Sequence, residues 1–124
     1  MDFRMIGVIG IVVTAVFGLA FLVAPSAVAS LYGITGWSAG QLLIARLFGI
    51  ELLYVTGALY AVRNIEDRSI QRAFATGLGA ASVLGAVATA QAVLAGATNA
   101  LSWSTVLIYA FFALAWGRLA LARQ

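Results

Sequence analysis

Glu51 stands about halfway along an apolar run from Leu42 to Val62, with Arg46 five residues before it. A carboxylate at the centre of a membrane helix costs on the order of 3 kcal/mol even on a lenient insertion scale, so such a residue is retained with a partner or a role. Two chemistries suit it: proton exchange coupled to transport, and pairing with a cation or donor on a neighbouring helix. Arg46 is the nearest cation. On an ideal helix five residues turn through about 500°, leaving the two side chains roughly 140° apart and about 7.5 Å apart along the axis. They do not share a face. Glu51 shares its side with Ile44, Leu47, Val55, Ala58 and Val62, whereas Arg46 shares its side with Gly49, Leu53, Gly57 and Tyr60. The second set holds the small residues and is expected to pack, so Glu51 faces either an internal site or a partner chain. Gln91, counted from the other end of its own apolar run, falls at about the depth of Arg46. With Trp37, Gln41, Asn99 and Trp103 on the same side, Arg46 and Gln91 outline an outward-facing polar pocket capped by residues 24–40. The alternative is that Gln91 and Arg46 bond each other or nearby carbonyls and fix helix register, as polar residues in membrane bundles often do.

Other chemistries are excluded by residue type. The chain has neither cysteine nor histidine, which removes disulfides, the usual zinc sites, and haem or iron–sulfur ligation through those side chains. No metal site is expected, the cofactor question stays open, and a Ser/His/Asp set is impossible. Gly77-Leu78-Gly79 resembles the start of a dinucleotide fingerprint, but no strand precedes it and the run around it is an apolar helix. An enzyme is therefore expected only if a redox cofactor is held without these ligands.

Four apolar stretches carry these residues. Of 124 residues, 64% are hydrophobic and 9% charged, against roughly a quarter charged in soluble domains. The spans read as residues 5–23, 42–62, 73–94 and 103–119, each near the length that crosses a hydrocarbon core of roughly 30 Å. The expected architecture is an all-α, integral membrane four-helix bundle forming one domain over residues 1–124. Pro25 cannot continue the first helix but suits the first turn of another, so a short interfacial helix is expected from Pro25 to Tyr32, ended by Gly33. Ala27-Val28-Ala29 has the form of a signal-peptide cleavage site. However, the preceding apolar run exceeds the usual ~7 to 15 residues and Asp2 spoils a basic leader, so this helix is expected to be retained.

Charge placement orients the spans. Six of the seven arginines fall at Arg4, at Arg63, Arg68 and Arg72, and at Arg118 and Arg123, and the chain has no lysine. The connections at the opposite ends carry no charge. Cytoplasmic loops retain Arg and Lys, so both termini are expected inside. Trp37 and Trp103 then fall at the outer headgroup level and Trp116 at the inner one. The net charge of +3 is a membrane-orienting charge, and no nucleic-acid partner is expected. Glu66 and Asp67 sit where the third span begins, matched to the positive end of its dipole.

Lipid gives helices no hydrophobic reason to associate, so close approach through small residues has to supply much of it. Gly77, Ala81, Gly85, Ala88, Ala92 and Gly96 form one stripe on the third span, and Gly7, Gly10, Thr14 and Gly18 another on the first. Both are expected in helix contacts, with the third span the most enclosed.

The run Leu42-Leu43-Ile44-Ala45-Arg46-Leu47-Phe48-Gly49, preceded by the Pro25 to Gly33 segment ending Leu31-Tyr32-Gly33, resembles small four-helix bacterial inner-membrane proteins of the DoxX-like group. The resemblance implies a multi-pass protein of the bacterial inner (cytoplasmic) membrane. Some members of that group are associated with quinone-linked thiosulfate oxidation, but this chain has no cysteine for sulfur chemistry. The expected role is a non-catalytic accessory subunit, or a bundle binding an amphiphile such as a lipid or quinone, with the bilayer, membrane-complex subunits or further copies as partners. The alternative is a small proton-coupled transporter using Glu51. In compact four-helix exporters, however, the key glutamate belongs to the first helix and the arginine bias is weak.

Overall fold

A computed structural model describes residues 1–122; Arg123 and Gln124 lie outside the described residues. The described chain is all-α: α1 (Phe3–Val23), α2 (Pro25–Leu31), α3 (Ala39–Val62), α4 (Arg68–Leu94) and α5 (Ser102–Leu121). Four of the five, α1, α3, α4 and α5, are long and apolar enough to cross a membrane.

Local chemistry sets where each begins and ends. Asp2 Oδ1 accepts the Met5 N–H at 2.8 Å and opens α1. Pro25 starts α2, and Gly33, at φ 77°, lets the chain turn out of it. Ser38 opens α3 in a capping box: its hydroxyl accepts the Gln41 N–H at 3.3 Å while its own N–H donates to Gln41 Oε1 at 2.8 Å. This cap carries α3 back to Ala39, one turn ahead of the apolar run. Asp67 Oδ1 does the same for α4, accepting from the Ser69 N–H at 2.8 Å, the Ser69 hydroxyl at 2.7 Å and the Ile70 N–H at 3.3 Å. Gln71 Nε2 donates back to the Ile65 carbonyl at 2.6 Å and ties down the preceding turn.

The described chain divides into two compact units, residues 7–63 and residues 1–6 with 64–122. In the first unit α1 meets α3 backbone to backbone. A Cβ added at Gly18 would lie 2.9 Å from the Gly49 carbonyl oxygen, and one at Gly49 only 2.7 Å from that of Gly18 and 2.8 Å from Leu22 N. Thr14 and Thr56 hydroxyls face each other across the same seam at 2.7 Å. Gly18 and Thr14 of the expected α1 stripe thus meet α3, while a Cβ at Gly7 would meet nothing within 4 Å.

In the second unit α5 runs antiparallel to α4: Gly79 lies against Trp116 and Gly117, and Gly85 against the Tyr109 ring. Phe3 packs edge-on to Trp116 with centroids 5.6 Å apart, so the start of α1 lies beside the last turns of α5. Ile6 (1% exposed), Ala75 and Phe112 complete this core. Trp116, expected at the inner headgroup level, is 2% exposed: Phe3 covers its ring and Gly79 leaves room beneath it.

The expected α4 seam is also corrected. Gly77, Ala81, Ala88 and Gly96 are exposed and Ala92 half-buried, while Ala75, Gly79 and Ser82 are buried. At 3.6 residues per turn the face that packs lies about 120° around the helix from the expected stripe, with Gly85 at the edge between them. Alanine and glycine line both faces of α4, so small size alone does not choose between them. Nor is α4 the most enclosed helix, since a larger share of α1 is buried.

Candidate functional site

Helix α3 carries Arg46 and Glu51 within its apolar run. Glu51 lies twelve residues after Ala39 and eleven before Val62, about 18 Å and about 16.5 Å along the axis, which is mid-helix. The buried residues of α3 are Ala45, Gly49 and Leu59, with Leu52 and Thr56 half-buried between them. Gly57 and Tyr60, expected on the packing face, are exposed, and a Cβ at Gly57 would meet nothing within 4 Å. The seam is therefore turned about 80° from the expected one. Its rotation is set by the Gly18–Gly49 approach and the Thr14–Thr56 pair.

That rotation places Arg46 on one flank of the seam and Glu51 on the other, well around the helix. Both are exposed. Gln91 is exposed as well, about 160° around α4 from Ala75, on the side away from α5. Among the described residues no ion pair or side-chain hydrogen bond is made by Arg46, Glu51 or Gln91.

The outer polar residues fall into two groups. In the first unit, Trp37 and Gln41 line a groove of about 360 Å³ with Phe21, Ile34, Ile44, Ala45 and Phe48. Phe21 and Phe48 stand edge to face with centroids 5.2 Å apart. Gln41 is partly committed, since its carbonyl oxygen serves the capping box at 2.8 Å. In the second unit, Asn99 Oδ1 accepts the Leu101 N–H at 3.1 Å and shapes the turn into α5, and Trp103 is exposed two residues later.

Thr56 is the residue that sequence reading passed over. Its hydroxyl lies 2.9 Å from the Leu52 carbonyl, Thr14 lies 2.8 Å from that of Gly10, and the two hydroxyls are 2.7 Å apart. Two hydroxyls supply two protons for these three contacts, so one threonine gives up its carbonyl to donate across the seam. Its spacing from Gly49, seven residues or two turns, was the available signal.

Outside the seams the helices present large apolar side chains, among them Val16 (60% exposed), Leu84 (71%) and Leu107 (70%). Surface of this extent and character belongs against lipid or another chain. Within it, the Glu51 carboxylate can accept hydrogen bonds, pair with a cation from outside its own helix, or exchange a proton. No family model, curated protein or solved structure matches the chain.

Proposed function

We propose that this is a multi-pass protein of the bacterial inner membrane, with Arg4 and Arg118 on the cytoplasmic side, acting as a non-catalytic accessory subunit through the Glu51 face of α3. The single observation that carries the reading is Glu51 itself: mid-helix, exposed, off the seam and unpaired within the described chain. A carboxyl left that way in hydrocarbon is unfavourable by on the order of 3 kcal/mol, and a donor or cation on a partner helix removes the penalty. The orientation rests on the arginines, which gather at one end of the spans. The all-helical build and the DoxX-like run from Leu42 to Gly49 accord with it. The groove beside Phe21, Trp37 and Phe48 favours a second reading, in which an amphiphile lays its apolar part there.

The test is native mass spectrometry after gentle-detergent purification of the parent, Glu51→Gln and Glu51→Leu. The parent is expected to carry a partner subunit or a second copy. The Gln variant, still able to accept a hydrogen bond, should retain it, and the Leu variant should lose it. Undiminished assembly in the Leu variant defeats the proposal. Loss of proton-linked efflux in the Gln variant would favour the transporter.

A further inference from the structure

Four arginines share one end of the unit made by residues 1–6 and 64–122. The Phe3–Trp116 contact brings Arg4 and Arg118 to that end. The match of Gly79 to Trp116 and Gly117 then sets Arg72 and Arg68 about 10 Å and about 16 Å beyond it along α4. All four are exposed, and none is in an ion pair among the described residues. Two of the three neighbouring carboxylates are committed elsewhere, and the third, Glu66, is exposed and forms no ion pair among the described residues. Asp2 is engaged with the Met5 N–H, and Asp67 holds two backbone N–H groups and the Ser69 hydroxyl. Their charge is turned toward helix N-termini, where the dipole offsets it. Arg63 shows the contrast: its guanidinium lies 3.5 Å over the Tyr60 ring and donates to the Tyr60 carbonyl, so it is committed to closing α3.

Length adds a second argument. The 27 residues of α4 extend about 40 Å, some 10 Å more than a hydrocarbon core of roughly 30 Å. The surplus lies at the Arg68 end, where the apolar run has not begun and lipid phosphates are found. Guanidinium groups bind phosphate oxygens in pairs, with a geometry an ammonium lacks.

We infer that this end is a binding surface for anionic phospholipid headgroups, gripped by Arg68 and Arg72 and flanked by Arg4 and Arg118. The inference rests on the membrane reading above but not on the Glu51 partner, and its readout is lipid rather than subunit.

The full chain, purified in mild detergent, is offered equal phosphatidylglycerol and phosphatidylcholine, and retained lipid is counted by native mass spectrometry. Phosphatidylglycerol should be retained preferentially, and each arginine contributes about fivefold to the preference. The Arg68→Gln/Arg72→Gln double variant should lose most of it, Arg63→Gln should keep it, and half-molar salt should erase it in the parent without any substitution. Equal retention of the two lipids overturns the inference, as does a preference that survives the double variant and high salt together. Displacement of the lipid by millimolar inorganic phosphate would overturn the lipid assignment in favour of a soluble phosphate site. Loss of partner assembly in Glu51→Leu with lipid preference intact leaves the inference standing.

Discussion

Replacing Gly49 by alanine tests whether the α1–α3 seam is held by backbone contact. The new Cβ would lie 2.7 Å from the Gly18 carbonyl oxygen, 2.8 Å from Leu22 N and 3.1 Å from Phe21 Cβ. Two of those three neighbours are backbone, so no side-chain rotation relieves the clash. Ordinary contact begins near 3.4 Å, and reaching it from 2.7 Å requires the helices to part by about 0.7 Å. A gap of that size forfeits a quarter to a half of the dispersion energy of the atoms it separates. It also stretches the 2.7 Å Thr14–Thr56 contact toward the limit of a hydrogen bond. Overpacking of this kind costs roughly 1–3 kcal/mol, and losing the hydroxyl pair adds about 0.6 kcal/mol. Gly49→Ala is therefore expected to destabilise the protein by about 2–3 kcal/mol, read from SDS titration of the helical signal in mixed micelles. Gly57→Ala on the same helix is the control, because its Cβ enters open space, and it should be neutral or slightly stabilising. Equal stabilities of the Gly49 and Gly57 variants, within about 0.5 kcal/mol, would refute the argument that backbone proximity holds this seam.

The Thr14→Val and Thr56→Val variants, combined in a double-mutant cycle, should show a coupling of about 0.6 kcal/mol and no more than about 1.7; additive effects would mean that neither hydroxyl donates across the seam. Gly85→Leu should loosen α4 from α5, since even a Cβ at Gly85 would fall 2.5 Å from the Tyr109 ring. Gly85→Ala should do less, because the neighbour is a side chain that can swing, and thermal unfolding in detergent would rank the two. The Asp67 carboxyl is held below its ordinary value of 3.8 by hydrogen bonds from the Ser69 hydroxyl and the Ile70 and Ser69 N–H groups. Because its folded-state value is the lower one, its contribution to the α4 cap is complete above pH about 3.8 and is lost as pH falls through the folded value. Amide exchange at Ser69 and Ile70 should therefore gain protection, relative to the intrinsic rate, as pH rises toward about 3.8 in the parent, and show no such step in Asp67→Ala.

Where the helices lie was legible in the sequence, and how each is rotated was not. Length and hydropathy mark four spans without any tertiary information, and Pro25 and Asp67 mark starts, whereas Ser38, whose capping box carries α3 back to Ala39, lay outside the expected span. Rotation is different. In a soluble helix the polar face names the outside and the apolar face the core; in a membrane helix both faces are apolar, and small residues become the remaining cue. On α1 the cue holds for Gly18 and Thr14, which meet α3, and not for Gly7, whose Cβ would meet nothing within 4 Å. On α3 it pulled the expected seam toward Gly57, about 80° too far, and on α4 glycine and alanine lie on both sides. What decides each case is a contact between distant positions: Gly18 with Gly49, Thr14 with Thr56, Gly79 with Trp116. The candidate site inherits this division. The depth of Glu51 follows from counting residues, whereas its exposure follows from the seam's rotation, which no span read in isolation contains. A carboxyl turned toward the seam would be a packing element satisfied within the chain. Turned away from it, the same residue has no partner on the α1–α3 seam, and its carboxyl is left to be met by a donor or cation from elsewhere or by a proton.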